Sequence, residues 1–310
     1  MEVLIKKKEN KEQKLLKYNE RHENVKDILI PSEEKTLRMY PMDFEEFLWA
    51  MGEENLMSFI TDSYNKKKPL EQLMHRKIMD YFRQYLIVGG MPQAVETYLE
   101  DKNFEKTDET KRNILNLYKN DIKKYAKDPI KVERIFNEIP SQLQNEEKRF
   151  RMSTIEDGAR FRDYQDAFYW LKDAMLVNIT EDTNEPNIGL NFQKNPSKFK
   201  CYLLDTGLLL SLAFNEKEIV DEGIYKKILF DKLSFNEGML MENIVAQMLV
   251  ASGNELYFYY NYDKDNSNEN MEIDFNAKDG SFSKSFIGFQ DLSSENELPN
   301  DFTKDNLKSK

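Results

Sequence analysis

The sequence predicts an α+β protein whose first half is mostly helical. Three observations carry that expectation. Capped segments of helical apolar period follow one another from Asp43 to Met175. Over residues 127–192 the order helix, short helix, helix and two strands is that of a winged helix. Beyond Pro196 the texture changes to aromatic strands alternating with helices.

Residues 1–27 are charged, without a clear apolar period, and read as a loose or helical remnant. Ile28-Leu29-Ile30 before Pro31 reads as a short strand end. Asp43 with Glu46 makes a capping box, and Met42 against Phe47 a hydrophobic staple. Phe44, Phe47, Leu48 and Met51 then recur at helical spacing, Pro41 fixes the entry and Gly52 ends the helix. Helices are expected over 70–86, 94–100 and 110–125, with Gly89-Gly90 and Pro92 as punctuation. Gly89-Gly90 reads as a tight connection, because no Lys-Ser or Lys-Thr follows it.

Asp128-Pro129 caps the next helix, whose stripe is Val132, Ile135, Phe136 and Ile139, and Pro140 is expected to stop it. Ser153 with Glu156 forms a second capping box. Tyr164, Ala167, Phe168, Leu171 and Met175 again have helical period, followed by a strand over 176–180 and a turn at 184–186. A strand over 199–204 leads to Asp205 or Thr206 as a cap, and 238–252 is an amphipathic helix ended by Gly253. A strand over 256–262 is dense in aromatics, one face of which should be core. Met271, Ile273 and Phe275 alternate with Glu272, Asp274 and Asn276 as in a half-buried strand. A further strand is expected over 286–289, and the polar stretch from Asp291 should be disordered. Trp49 and Trp170 read as packing residues.

Composition narrows the function classes. No apolar run approaches the roughly twenty residues of a membrane span, and Met1 to Asn10 lacks a signal core, so a cytoplasmic protein without membrane contact is expected. One cysteine, Cys201, and two histidines, His22 and His75, leave no basis for a zinc site; any metal would be a hard ion held by carboxylates. A net charge of −11 argues against general coating of nucleic acid but leaves room for a local basic patch. Lys148, Arg149, Arg151, Arg160 and Arg162 supply the nucleic-acid-binding candidates, around the turn and the start of the recognition helix. Gln165 or Tyr169 is placed to face a groove, whereas Asp163, Asp166 and Asp173 on the same helix repel phosphate. DNA and a protein partner both stay open.

Several runs are familiar together. They are Tyr40-Pro41-Met42-Asp43-Phe44-Glu45-Glu46-Phe47-Leu48-Trp49-Ala50; Gly89-Gly90-Met91-Pro92; Tyr118 with Asp121 and Lys124; Ile139-Pro140-Ser141-Gln142-Leu143; Tyr202-Leu203-Leu204-Asp205-Thr206-Gly207-Leu208-Leu209; Glu242-Asn243; and Glu272-Ile273-Asp274-Phe275. In this order, over residues 28–275, they resemble the C-terminal part of a prokaryotic family of predicted AAA+ ATPases, where that half is domain of unknown function 4143. The resemblance implies a remnant of the ATPase domain and linker (1–40), a helical region (41–126), a winged-helix-like domain (127–192), a restriction-endonuclease-like α/β domain (193–290) and a disordered tail (291–310).

Full-length members of that family imply ATP and magnesium as cofactors. This sequence contains no Gly-x-x-x-x-Gly-Lys run and no glycine followed by Lys-Ser or Lys-Thr, so no ATP-binding residue and no cofactor are assigned to it. A truncated gene, an internal start at Met1, or ATPase parts on a separate chain all fit. By the same resemblance Glu242 and Asp274 occupy the metal-holding positions of a PD-(D/E)XK nuclease. Read alone, they are a solvated helix residue and the polar face of a strand. The stretch Ile287-Gly288-Phe289-Gln290 lacks the family's Glu-x-Lys pattern, which leaves nuclease-like remnants and no catalytic assignment. The expectation is a truncated, non-catalytic DNA- or protein-binding module, with a residual magnesium-dependent nuclease as the alternative.

Overall fold

Local capping sets the first helices. Asp43 Oδ1 accepts from the Glu46 N–H at 2.8 Å and Glu46 Oε2 from the Asp43 N–H at 3.1 Å, which starts α1 (Phe44–Ala50). The computed structural model describes residues 38–145, 149–183, 194–214, 223, 225, 237–261 and 271–277; the side chains of 194–197, 237, 260, 261, 271–274, 276 and 277 lie outside that description. So do the expected elements at 1–30, 184–186, 286–289 and 291–310.

After α1 come α2 (Leu56–Lys66), α3 (Gln72–Val88), α4 (Pro92–Asp101), α5 (Phe104–Tyr125) and α6 (Pro129–Gln144). The sequence pattern does not foreshadow α2, because only Leu56 of it is buried while Phe59 and Tyr64 stay exposed. Asn103 starts α5 earlier than apolar period indicated, its Oδ1 accepting from the Lys106 N–H. Asp128 caps α6 as expected. Pro140 does not stop α6, which continues to Gln144. A proline inside a helix loses one backbone bond and strains the turn before it; here Ile139, Gln142 and Leu143 bury that last turn in the core.

No capped α-helix begins at Ser153. Gln142 instead holds the segment, taking the Arg151 N–H at 2.8 Å and donating to Thr154 Oγ1 at 2.6 Å, and Met152–Thr154 forms a 3-10 turn. Then come α7 (Phe161–Asp173), β1 (Val177–Thr183), β2 (Lys194–Leu203), α8 (Thr206–Ala213), α9 (Glu237–Ala251), β3 (Leu256–Asn261) and β4 (Met271–Ala277). The described residues are thus mostly helical with one mixed sheet, an α+β arrangement.

The strand order is β2-β1-β3-β4. β1 and β2 pair antiparallel, with Asn178 opposite Tyr202 and Thr180 opposite Lys200. β1 meets β3 in parallel through two residue pairs, Glu181 with Tyr257 and Asp182 with Phe258, and β3 pairs antiparallel with β4. One face of the hairpin packs on α7, where the Phe199 ring lies 4.7 Å from Phe168 and 5.2 Å from Phe161. The other face turns Lys200 and Tyr202 toward α9. As β3 is an interior strand, Leu256, Tyr257 and Phe258 are all buried, so both faces serve the core rather than one. Buried apolar residues from Phe44 to Phe275 form one connected cluster. Trp170 packs against it, whereas Trp49 is 44% exposed and is not a core residue. Among the described residues no helix is long and apolar enough to cross a membrane.

Candidate functional site

Four of the motif-bearing segments meet in one buried joint. The Met42 N–H donates to the Gly90 carbonyl at 2.7 Å, and Tyr85 Oη donates to the Met42 carbonyl at 2.6 Å. Asp205 accepts twice, from the Gly90 N–H at 2.6 Å and from the Leu208 N–H at 2.9 Å, so it caps α8 and clamps the α3–α4 turn together. Asn243 on α9 accepts from the Leu203 N–H and donates to Thr206 Oγ1; Gln247 accepts from the Thr206 N–H and donates to Tyr85 Oη. A Cβ at Gly90 would collide with the Met42 carbonyl, and one at Gly207 with the Val88 carbonyl. Glycine is needed there for close backbone approach. The amide of Gly90 holds the chain's own carboxylate, which agrees with reading Gly89-Gly90 as a connection.

Burial pushes the Asp205 carboxyl up, opposed by the N–H groups of Gly90 and Leu208 and by Lys111. Lys111 is fully buried and donates to the Ile87 carbonyl at 2.8 Å. Burial pushes its ammonium down to about 8, against the pull of Asp108 and Asp205. Asp108 in turn accepts from Arg112 Nε and from Ser211 Oγ, both at 2.6 Å. Among the described residues every strong polar contact of this joint is internal, and its chemistry is that of a fastener.

The acidic candidate Glu242 lies on α9 and is buried, not solvated. Its Oε2 accepts from Tyr202 Oη at 2.9 Å and stands 3.7 Å from Lys200 Nζ. Lys200 is 1% exposed and lies over the Phe258 ring at 5.4 Å. On the same sheet face Asn178 Nδ2, Thr180 Oγ1 and Asp182 Oδ1 are buried without a hydrogen-bond partner among the described residues. Burial raises the Asp182 carboxyl, opposed by Lys198 and Arg149. Asp274 is on β4, but its side chain lies outside the described residues. Among the described residues no group of three or more His, Cys, Asp or Glu is arranged to hold a metal ion. Sequence reasoning missed Lys200. Its one signal was a lysine between Phe199 and Cys201 inside an apolar strand.

The basic candidates divide into two groups. Arg151 sits at the C-terminal end of α6, its N–H held by Gln142, and Arg149 is near enough to Asp182 to act on its charge. Arg160 and Arg162, both exposed, flank the start of α7. That start lies at the opposite end of α6, because Lys131 Nζ donates to the Asp163 carbonyl at 2.9 Å. From Lys131 to Gln142 the helix rises about 16 Å. Lys148 lies outside the described residues. Gln165 donates to Tyr169 Oη at 3.1 Å, and Tyr169 is 44% exposed beside a cleft lined by Phe161, Phe168, Lys172, Ile179, Glu181 and Phe199.

A family model described as a domain of unknown function, DUF8612, matches residues 79–218. That span holds both partners of the Gly90–Asp205 clamp, with Lys111, Arg160, Arg162 and Lys200, and it ends before Glu242 and Asp274. No curated protein and no solved structure matches the chain.

Proposed function

We propose that this chain is a non-catalytic binding module that contacts DNA through the adjoining ends of α6 and α7. Its place would be the partner-binding half of the AAA+-type machine that its ordered motifs resemble. In this reading α6, the 3-10 turn, α7 and the β1–β2 hairpin act as a winged helix that reaches past residue 192 to Leu203, because β2 pairs with β1, and α8 to β4 belong to a nuclease-like domain that does no hydrolysis. One observation carries the assignment. The Lys131 bond to the Asp163 carbonyl draws the two helix starts together, so Arg160 and Arg162 share a surface with Lys131. Such cations hold phosphates and release counterions, which makes binding salt-dependent.

The test is fluorescence anisotropy with a labelled duplex across a salt series. Binding should weaken linearly with log salt, and Arg160→Ala/Arg162→Ala should lower the slope by about 2, from two lost phosphate contacts. Unchanged binding in that variant removes the assignment. A protein partner is the second reading. It is favoured by Asp163, Asp166 and Asp173, exposed on the same helix, and by Tyr169 beside its apolar cleft; absence of duplex binding by the wild type would select it. The nuclease reading is disfavoured by the burial of Glu242 under Tyr202 and Lys200. Magnesium-dependent cutting that disappears in Asp274→Ala would reinstate it.

A further inference from the structure

The cations near the start of α6 outnumber those that flank α7. The last turn of α5 carries Lys123 and Lys124, Lys127 follows in the connection, and Lys131 stands in the first turn of α6. Through the Lys131–Asp163 bond this corner continues directly into Arg160 and Arg162. The corner therefore gathers six basic residues from three elements, against Asp121, Asp128, Asp163 and Asp166, in a chain whose net charge is −11. Two of those acids are engaged locally. Asp128 caps α6 and lies 3.6 Å from Lys131, and Asp163 lies 3.6 Å from Arg162. Lys123, Lys127 and Arg160 are exposed, and among the described residues none of them has an acidic partner.

We infer that the nucleic-acid contact surface extends from the start of α7 across the α5–α6 corner, with Lys123 and Lys127 as phosphate contacts; this rests on the DNA reading above. Six cations spread over three adjoining elements suit a run of phosphates better than one small anion. A lipid surface fits less well. Interfacial binding needs an apolar face to insert, and the corner offers one exposed aliphatic side chain, Ile130. The neighbouring Tyr125 ring is covered by Lys124 at 4.6 Å.

The experiment measures duplex binding by anisotropy for the wild type, Lys123→Glu/Lys127→Glu, Arg160→Ala/Arg162→Ala, and the charge-matched control Lys66→Glu/Lys68→Glu at and just beyond the end of α2. All the changed side chains are exposed, and circular dichroism checks that each variant folds. The corner variant should bind at least tenfold more weakly, with the salt slope reduced by about 2, from two lost contacts of about 0.9 each. The control should change affinity less than twofold. If the arginine variant weakens binding and the corner variant does not, the extension is wrong while the DNA reading stands. If the wild type does not bind duplex, both fall. Binding to phosphatidylserine/phosphatidylcholine vesicles that is tighter than to duplex, and lost in the corner variant, would overturn the nucleic-acid assignment of this surface.

Discussion

Replacing Asp205 with alanine should destabilise the fold severely without touching any exposed surface. Its carboxylate, fully buried, accepts from two backbone N–H groups 115 and 3 residues away, Gly90 and Leu208. Alanine removes the cap of α8, which is worth about 1 kcal/mol. It also leaves the Gly90 N–H buried with no acceptor, at about 1–3 kcal/mol. The two losses occur at different atoms, so about 2–4 kcal/mol is expected, a large share of the roughly 5–15 kcal/mol that holds a domain folded. The charge itself is no asset, since burial raises the Asp205 carboxyl. What matters is having two acceptor oxygens. Asparagine keeps one acceptor and turns a donor toward the other N–H, so Asp205→Asn should fall between wild type and Asp205→Ala. Urea unfolding followed by far-ultraviolet circular dichroism gives both differences, read as midpoint shifts at constant slope. An alanine variant within about 0.5 kcal/mol of wild type, the range of an ordinary surface change, would show that the clamp does not hold the joint.

Two further changes probe the buried charges. Burial depresses Lys111 from 10.5 to about 8, so between those values the folded protein binds fewer protons than the unfolded chain. The stability this group contributes is fully present above 10.5 and is lost as pH falls through about 8. Relative to Lys111→Met, the wild type should therefore gain stability from pH 7.5 to pH 10, by at most about 3 kcal/mol; a flat difference in urea midpoints would contradict the burial argument. For the Lys200–Glu242 pair, Glu242→Leu alone should cost about 3–5 kcal/mol by removing the carboxylate 3.7 Å from a buried ammonium, while Lys200→Met/Glu242→Leu should be near neutral or more stable. A double-mutant cycle in thermal unfolding measures the coupling, and a coupling near zero would mean that the two groups do not compensate each other.

The local sequence determined the features whose partners lie within one helical turn. Asp43 with Glu46, Asp128 before Pro129, and Asp205 three residues before Leu208 are caps whose donor and acceptor are close in the chain, so residue type alone announces them. Alternation placed β4 and aromatic density β3, while the apolar runs that announced β1 and β2 missed the polar start of β2 at Lys194. Where tertiary burial competed with a local rule, burial won. Pro140 sits inside α6 because Ile139 and Leu143 anchor the turn, and Ser153 caps no α-helix because Gln142 binds the segment from across the fold. The start of α7 mixes basic and acidic residues in sequence, but only the Lys131 bond shows which cations it joins. Arg151 and Arg162 are close in number yet belong to opposite ends of α6. Glu242 read as a solvated or metal-holding acid; Tyr202 and Lys200, some 40 residues earlier, make it an internal acceptor. Periodicity records which side of an element is apolar. Which other element covers that side, and which buried charge it brings, depends on long-range contacts that no window of neighbouring residues contains.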